Sequence, residues 1–233
     1  MKLVTRMTAI FAVAVLAFSA SVAGAFSLRA PQVAFVTAPL QGNLTAWDGF
    51  ITAATDQIDA QSFTTGITGN TDFTLLLRSA SANGDDIGVY NTSWVVGPPA
   101  LYQLFPPAAT NGWSVACHFT AGGVLQATLY DGSFVQQGTV SYSGVDRNHF
   151  GFYIHGAGGL WYSQDGRNGN KPQILTYAGT QSGHNFGDWF ECMEPNAYAA
   201  GTSTFNGAVV VLQSVQPVPV RAGTWGALKA SYR

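Results

Sequence analysis

The sequence predicts an all-β fold, and three observations carry that prediction. Apolar and polar residues alternate in short runs broken by Gly, Asn, Asp and Pro, the period of half-buried strands. No stretch of real length repeats its apolar residues at helical spacing. Charged residues make up 9% of the chain, far below the usual quarter. Solubility therefore rests on Ser, Thr, Asn, Gln and Gly, a composition that suits strands and turns. Once a leader is set aside, roughly 200 residues remain, which is the size of one sandwich or barrel.

The leader comes first. Lys2 and Arg6 precede an apolar run from Ala9 to Phe18, and "AGA" ends at Ala25. That is the pattern of a secretory signal, predicted to be cut after Ala25. The apolar run is shorter than the roughly 20 residues of a membrane span. The expected organisation is a signal peptide over 1–25, one β-domain over 26–216 and a Pro-containing basic tail over 217–233. The expected location is secreted, periplasmic or at the cell surface, with no transmembrane segment in the mature chain. The formal net charge is −2, and the leader holds two of the basic residues and no acid. Such thin, mildly acidic charge offers no basic surface to nucleic acid or anionic lipid.

One helix is expected, from Leu44 to Ile58 with Thr45 as a candidate cap. Strands are expected at "FTLLLRSA", "DIGVYN", "ALYQLF", "GWSVACHFT", "VLQATLY" and "FVQQGTVSYS", then at "HFGFYIH", "LWYSQ", "QILTYAG", "DWFECM" and "GAVVVLQSV". In the fourth, Trp113, Val115, Cys117 and Phe119 share one face, so Cys117 points inward. Asp131-Gly132 between two alternating runs predicts a hairpin. Pro217 and Pro219 close the last strand, because proline cannot sit in a sheet interior. Beyond them Trp225, Leu228 and Tyr232 mark either an untethered terminus or a sorting or docking tag.

Two cysteines, Cys117 and Cys192, in an exported chain read most simply as one disulfide. It would close a loop of about 75 residues, worth on the order of 4 kcal/mol by chain entropy. Two separate buried thiols are the alternative. A cysteine nucleophile is not expected, since His118 follows Cys117 directly and points to the opposite face.

The stretch from His149 to Gln173 gathers two histidines, two tyrosines, an aspartate and an arginine. As a strand it sends Phe150, Phe152 and Ile154 inward and His149, Tyr153 and His155 outward. The histidines stand six residues apart, roughly 20 Å, too far to share one zinc. "HGAGG" then turns the chain, and "DGRNGN" reads as a Gly/Asn turn, because Arg167 occupies a position where a calcium loop needs oxygen. Tyr153 and Trp161 are candidate platforms for stacking on sugar rings. Paired carboxylates for hydrolysis reduce to Glu191 and Glu194, the two glutamates of the chain, beside Asp188. No nucleophile elbow, zinc-protease helix or CxxC pair is present. Asn43 and Asn91 begin glycosylation sequons.

The ordered set "DFTLLLRSASANGDDIGVYN", "YQLF", "HFGFYIHGAGGLWYSQDGRNGNKPQILTYAGT", "WFECMEP" and "TFNGAVVVLQSVQPVP" resembles the exported bacterial family catalogued as domain of unknown function 4114. That family often occurs in PEP-CTERM-type surface proteins. The resemblance runs from about Leu40 to Pro219. It implies a jelly-roll-like antiparallel β-sandwich without established enzyme activity, some members of which bind calcium through an acidic C-terminal segment. In that segment this chain retains Glu191 and Asn206 as oxygen donors, short of the six to eight that calcium takes. Cys192 stands where the family has a carboxylate, which points to a disulfide in the stapling role. The tail lacks the apolar span and acidic residue of a PEP-CTERM anchor.

The expectation is an exported, non-catalytic structural or binding module without a cofactor. A cell-surface glycan or an envelope protein is the expected partner. A carbohydrate-binding module and a glycosidase-like hydrolase acting through Glu191 and Glu194 are the alternatives.

Overall fold

A computed structural model describes residues 38–93, 97–180 and 187–218. The expected leader (1–25) and the tail beyond residue 218 lie outside the described residues. Among the described residues the alternation of the sequence appears as fourteen strands, all paired antiparallel. They are β1 (Gln57–Ile58), β2 (Phe63–Thr65), β3 (Asn70–Arg78), β4 (Asp86–Asn91), β5 (Leu101–Phe105), β6 (Ser114–Phe119) and β7 (Val124–Tyr130). The second half holds β8 (Gln136–Ser143), β9 (Phe150–Gly156), β10 (Gly159–Tyr162), β11 (Ile174–Ala178), β12 (Trp189–Met193), β13 (Ala208–Gln213) and β14 (Val215–Pro217).

The strands form two facing sheets. The larger has the order β1-β11-β12-β13-β3-β6-β7-β8; the smaller has β14-β2-β9-β4-β5, with β10 hairpinned onto β9. Connections such as β3–β4, β5–β6 and β8–β9 pass from one sheet to the other, giving a jelly-roll-like antiparallel sandwich. The period-2 rule fills the space between the sheets. Phe73, Leu75, Val115, Cys117, Phe119, Leu125 and Ala127 of the large sheet face Phe63, Ile87, Val89, Phe150, Phe152 and Ile154 of the small one. Phe152 meets Phe63 and Phe73 edge-on, with ring centroids 5.6 and 5.4 Å apart. Each such pair adds about 0.5–1.5 kcal/mol beyond area burial.

Two further layers lie outside the sandwich. The helix α1 (Ala38–Trp47) buries Leu40 and Leu44, one turn apart, against Leu175, Tyr177, Phe190, Cys192, Val209 and Val211 of the large sheet. Those strands are buried on both faces and accordingly read as continuous apolar runs. The helix therefore ends at Trp47 rather than extending to Ile58 as expected. The Asp48 amide makes the last helical bond, to Leu44 at 2.7 Å, and Asp48-Gly49 then breaks the run. The segment read as its second half supplies turns and β1. On the small sheet, Tyr90, Tyr153 and Tyr162 form an outer cluster with Leu101 and Leu160. Arg167 lies over the Tyr90 and Tyr162 rings at 5.5 and 5.6 Å.

The expected disulfide is absent: Cys117 and Cys192 are both free and buried. Cys117 on β6 faces the space between the sheets, whereas Cys192 on β12 faces α1. β13 and β3 lie between them, and three strand spacings amount to about 14 Å. A disulfide needs Cα atoms within about 7 Å and converging Cβ directions. Pro217 closes the last described strand, as the sequence predicts. It ends β14, paired with Phe63 at a sheet edge, where a proline is tolerated. Among the described residues, no helix is long and apolar enough to cross a membrane.

Candidate functional site: an uncovered polar sheet face

The residues singled out on the β9–β10 hairpin are placed by a tight turn, Gly156 opposite Gly159, as the sequence predicts. Phe150, Phe152 and Ile154 go inward, and His149 and His155 are exposed. Tyr153 does not reach solvent. It is 1% exposed, and its hydroxyl donates to Asp86 Oδ2 at 2.9 Å. Burial, and then the Asp86 charge, push its phenol well above the ordinary range, so it stays a donor. Trp161 is half-buried, packs against the sandwich core, and donates its indole N–H to the Pro195 carbonyl at 2.9 Å. The two proposed stacking platforms are thus parts of the core and its cover.

The acidic segment is committed in the same way. Glu191 is 0% exposed and accepts the Thr176 hydroxyl at 2.6 Å. It shares the inward face of β12 with Trp189 and Met193. Glu194 accepts the backbone N–H groups of Asn196, Thr204 and Phe205 and so ties the β12–β13 loop. Asn206 accepts from Asn43 of α1, on the other side of the sheet from Glu191. The structure therefore does not bring Glu191 and Asn206 together as ligands of one ion. Among the described residues no three His, Cys, Asp or Glu side chains converge as metal ligands would. Burial raises both thiols far above their ordinary value, which keeps them protonated and unreactive. The sequon side chains are also engaged, Asn43 with Asn206 and Asn91 with the backbone of Gly144 and Asp146.

Among the described residues, one broad face remains uncovered. On β3, β6 and β7 the inward residues fill the core and their alternates point to solvent, and β8 continues the sheet with Tyr142 alone packed against that core. Strand register aligns these into cross-strand rows. Asn70, His118, Gln126 and Ser141 make one row; Gln213, Asp72, Ala116, Thr128 and Thr139 make the next. A third holds Thr74, Ser114, Tyr130 and Gln136. Neighbours hold one another: His118 Nδ1 and Asn70 Oδ1 lie 2.6 Å apart, and the Thr128 and Thr139 hydroxyls 3.1 Å apart. Asp72 is the one fixed charge in these rows, and the other polar groups of the face are hydroxyls, amides and an imidazole.

A shallow depression of about 310 Å³ opens on this face, with Asp72, Thr74, Ser114 and Gln213 on its floor and Tyr130 and Phe134 beside it. Phe134 sits in the β7–β8 turn with φ 60° and is 80% exposed. A bulky residue in this left-handed region costs on the order of 1 kcal/mol or more. Asp131 holds the turn, its Oδ1 accepting from the Ser133 and Val135 amides at 2.9 and 3.0 Å. The two ends of the chemistry a sugar requires are therefore adjacent: flat aromatic surface at the rim, neutral donors and acceptors on the floor.

Nothing in the hairpin reading pointed to this face. The signal was present in the outward alternates of "NTDFT", "SVACHF" and "VLQATLY", which are polar apart from Ala116 and Val124. No protein-family model, curated protein or solved structure matches the chain.

Proposed function

We propose that this chain is an exported, non-catalytic binding module whose outer sheet face on β3, β6, β7 and β8 takes a neutral glycan. The observation that carries this reading is Phe134. A turn held by Asp131 keeps that ring exposed in a costly backbone conformation beside Tyr130 and the polar depression. Energy spent on exposing an aromatic ring is recovered when a sugar ring stacks on it. The chemistry of the rows sets the ligand class. Hydroxyl and amide groups donate and accept in turn, as polyols do, and Asp72 can accept from two vicinal hydroxyls. No lysine or arginine stands in the rows to favour phosphate, sulfate or nucleic acid.

The signal-like leader supports export, and the resemblance to domain of unknown function 4114 agrees with a role outside catalysis. The full burial of Glu191 and the backbone bonds of Glu194 count against the hydrolase alternative. The test is affinity electrophoresis through gels containing individual neutral polysaccharides, for the parent chain and for Tyr130→Ala and Asp72→Asn. At least one polysaccharide retards the parent, and each substitution weakens retardation about tenfold, which corresponds to about 1.4 kcal/mol. Equal retardation of all three proteins would place binding elsewhere.

A further inference from the structure

Among the described residues, the large sheet ends at β8 in an open edge of unusual character. β8 runs for eight residues, "QQGTVSYS", and hydrogen-bonds to β7 along one side. Seven of the eight residues are exposed. Edge strands ordinarily carry lysine, proline, an outward bulge or a cover to prevent pairing with another chain. β8 contains no charged residue and no proline. The one register shift against β7 lies at its first residues, opposite Leu129 and Tyr130. Val135 and Val140 stand 56% and 40% exposed along this edge. Behind it runs a groove of about 230 Å³ toward β5, lined by Leu104, Val115, Ala127, Leu129 and Val140 and closed by Tyr142. Tyr142 holds the groove's shape by donating to the Gln103 carbonyl at 2.9 Å.

We propose that β8 pairs antiparallel with β8 of a second copy of this chain, joining two large sheets across a two-fold axis. Three observations select a second copy as the occupant. The first is charge: the chain is net negative, but this edge is neutral, so two copies meet here without like charges opposed. The second is length. The other sheet edges are β1 with two residues, β14 with three including Pro217, and β5 with five. Within the molecule, β8 is therefore the partner that matches β8, and self-pairing closes without leading to a filament. The third is apolar surface: Val135 and Val140 stand exposed on this edge, where a second copy would cover them.

The polar face and the edge belong to adjacent sides of the same strands, so pairing sets two copies of the face side by side. This inference stands on the edge geometry and does not depend on the glycan reading. An eight-residue edge buries less than the roughly 1,200–2,000 Å² of a standard stable interface, so the dimer dissociates on dilution.

Sedimentation or light scattering of the purified chain over a micromolar concentration series tests it. The weight-average mass rises toward twice the single-chain value at the top of the series and falls to one chain at the bottom. Val140→Lys places a charge on the exposed edge and holds the protein at one chain throughout. Ile67→Lys, at a site 96% exposed on the β2–β3 connection, leaves the association of the parent intact. Concentration-dependent slowing of amide exchange in β8 gives a second readout that needs no variant. A parent that stays at one chain throughout would overturn the proposal. So would a dimer that Val140→Lys leaves unchanged, or β8 amides indifferent to concentration. Glycan retardation of Val140→Lys keeps the two readings separable, since a monomeric variant still presents the polar face.

Discussion

Tyr153 and Tyr130 show how much a side chain's role depends on what covers it. Both occupy outward positions of antiparallel strands, and alternation alone treats them alike. Tyr153 is covered within a cluster with Tyr90 and Tyr162, against which Leu101 and Leu160 pack, and its hydroxyl is held by Asp86. Glycines make that roof fit. A Cβ at Gly88 would stand 2.8 Å from the Tyr153 ring, and one at Gly151 would stand 3.0 Å from the Tyr90 ring. Tyr130 has no such roof. Asp188 offers a pH test at this scale. Burial raises its carboxyl above the ordinary value, and the Gln213 amide only partly opposes the shift. A carboxyl raised in the folded state binds its proton more tightly there than in the unfolded chain. Stability from this group is thus present below the unfolded value of about 3.9 and is lost as pH rises through the folded one. Asp188→Asn therefore raises the melting temperature near neutral pH and leaves it unchanged near pH 3. A variant that melts lower than the parent at neutral pH would show that the charged form is favoured in the fold.

At the scale of elements, the sequence read most clearly where one face of a strand is buried and the other wet. The predicted strands at "DIGVYN", "SVACHF" and "VLQATLY" fall on β4, β6 and β7, and Cys117 points inward as expected. The short strands β1, β2 and β14 were missed, because two or three residues give no period to detect. The helix was placed too late in the chain, since its apolar positions Leu40 and Leu44 are too few to set a boundary against the apolar residues that follow. The site was less legible than the fold. Its residues are individually ordinary Ser, Thr, Asn and Gln, and only the register of four strands, two of them distant in sequence, gathers them into rows. The disulfide and the paired oxygen donors failed for the same reason: facing direction within a sheet separates residues that a linear motif places together.

The whole molecule is a sandwich whose faces differ in cover. α1 closes one half of the large sheet, a tyrosine cluster closes the small one, and among the described residues the second half of the large sheet is left uncovered and polar. Hydrophobic packing, not a covalent staple, holds these layers. The melting temperature is accordingly expected to stay the same with and without reductant, and thiol titration under denaturing conditions to count two free thiols. A fall on reduction would mean that Cys117 and Cys192 are bridged after all, with the sheet rearranged to allow it.

The uncovered face is the centre of the account, and blocking it is the most direct test. Ala116 lies in its middle row, exposed, between Asp72 and Thr128. Ala116→Trp adds bulk there and removes no partner from the fold. The measurement is affinity electrophoresis of this variant against the parent, in the polysaccharide gel that retards the parent most. An unchanged melting temperature together with lost retardation is the predicted result. A variant retarded as strongly as the parent, or a parent that no neutral polysaccharide retards, would contradict a glycan-binding face on β3, β6, β7 and β8.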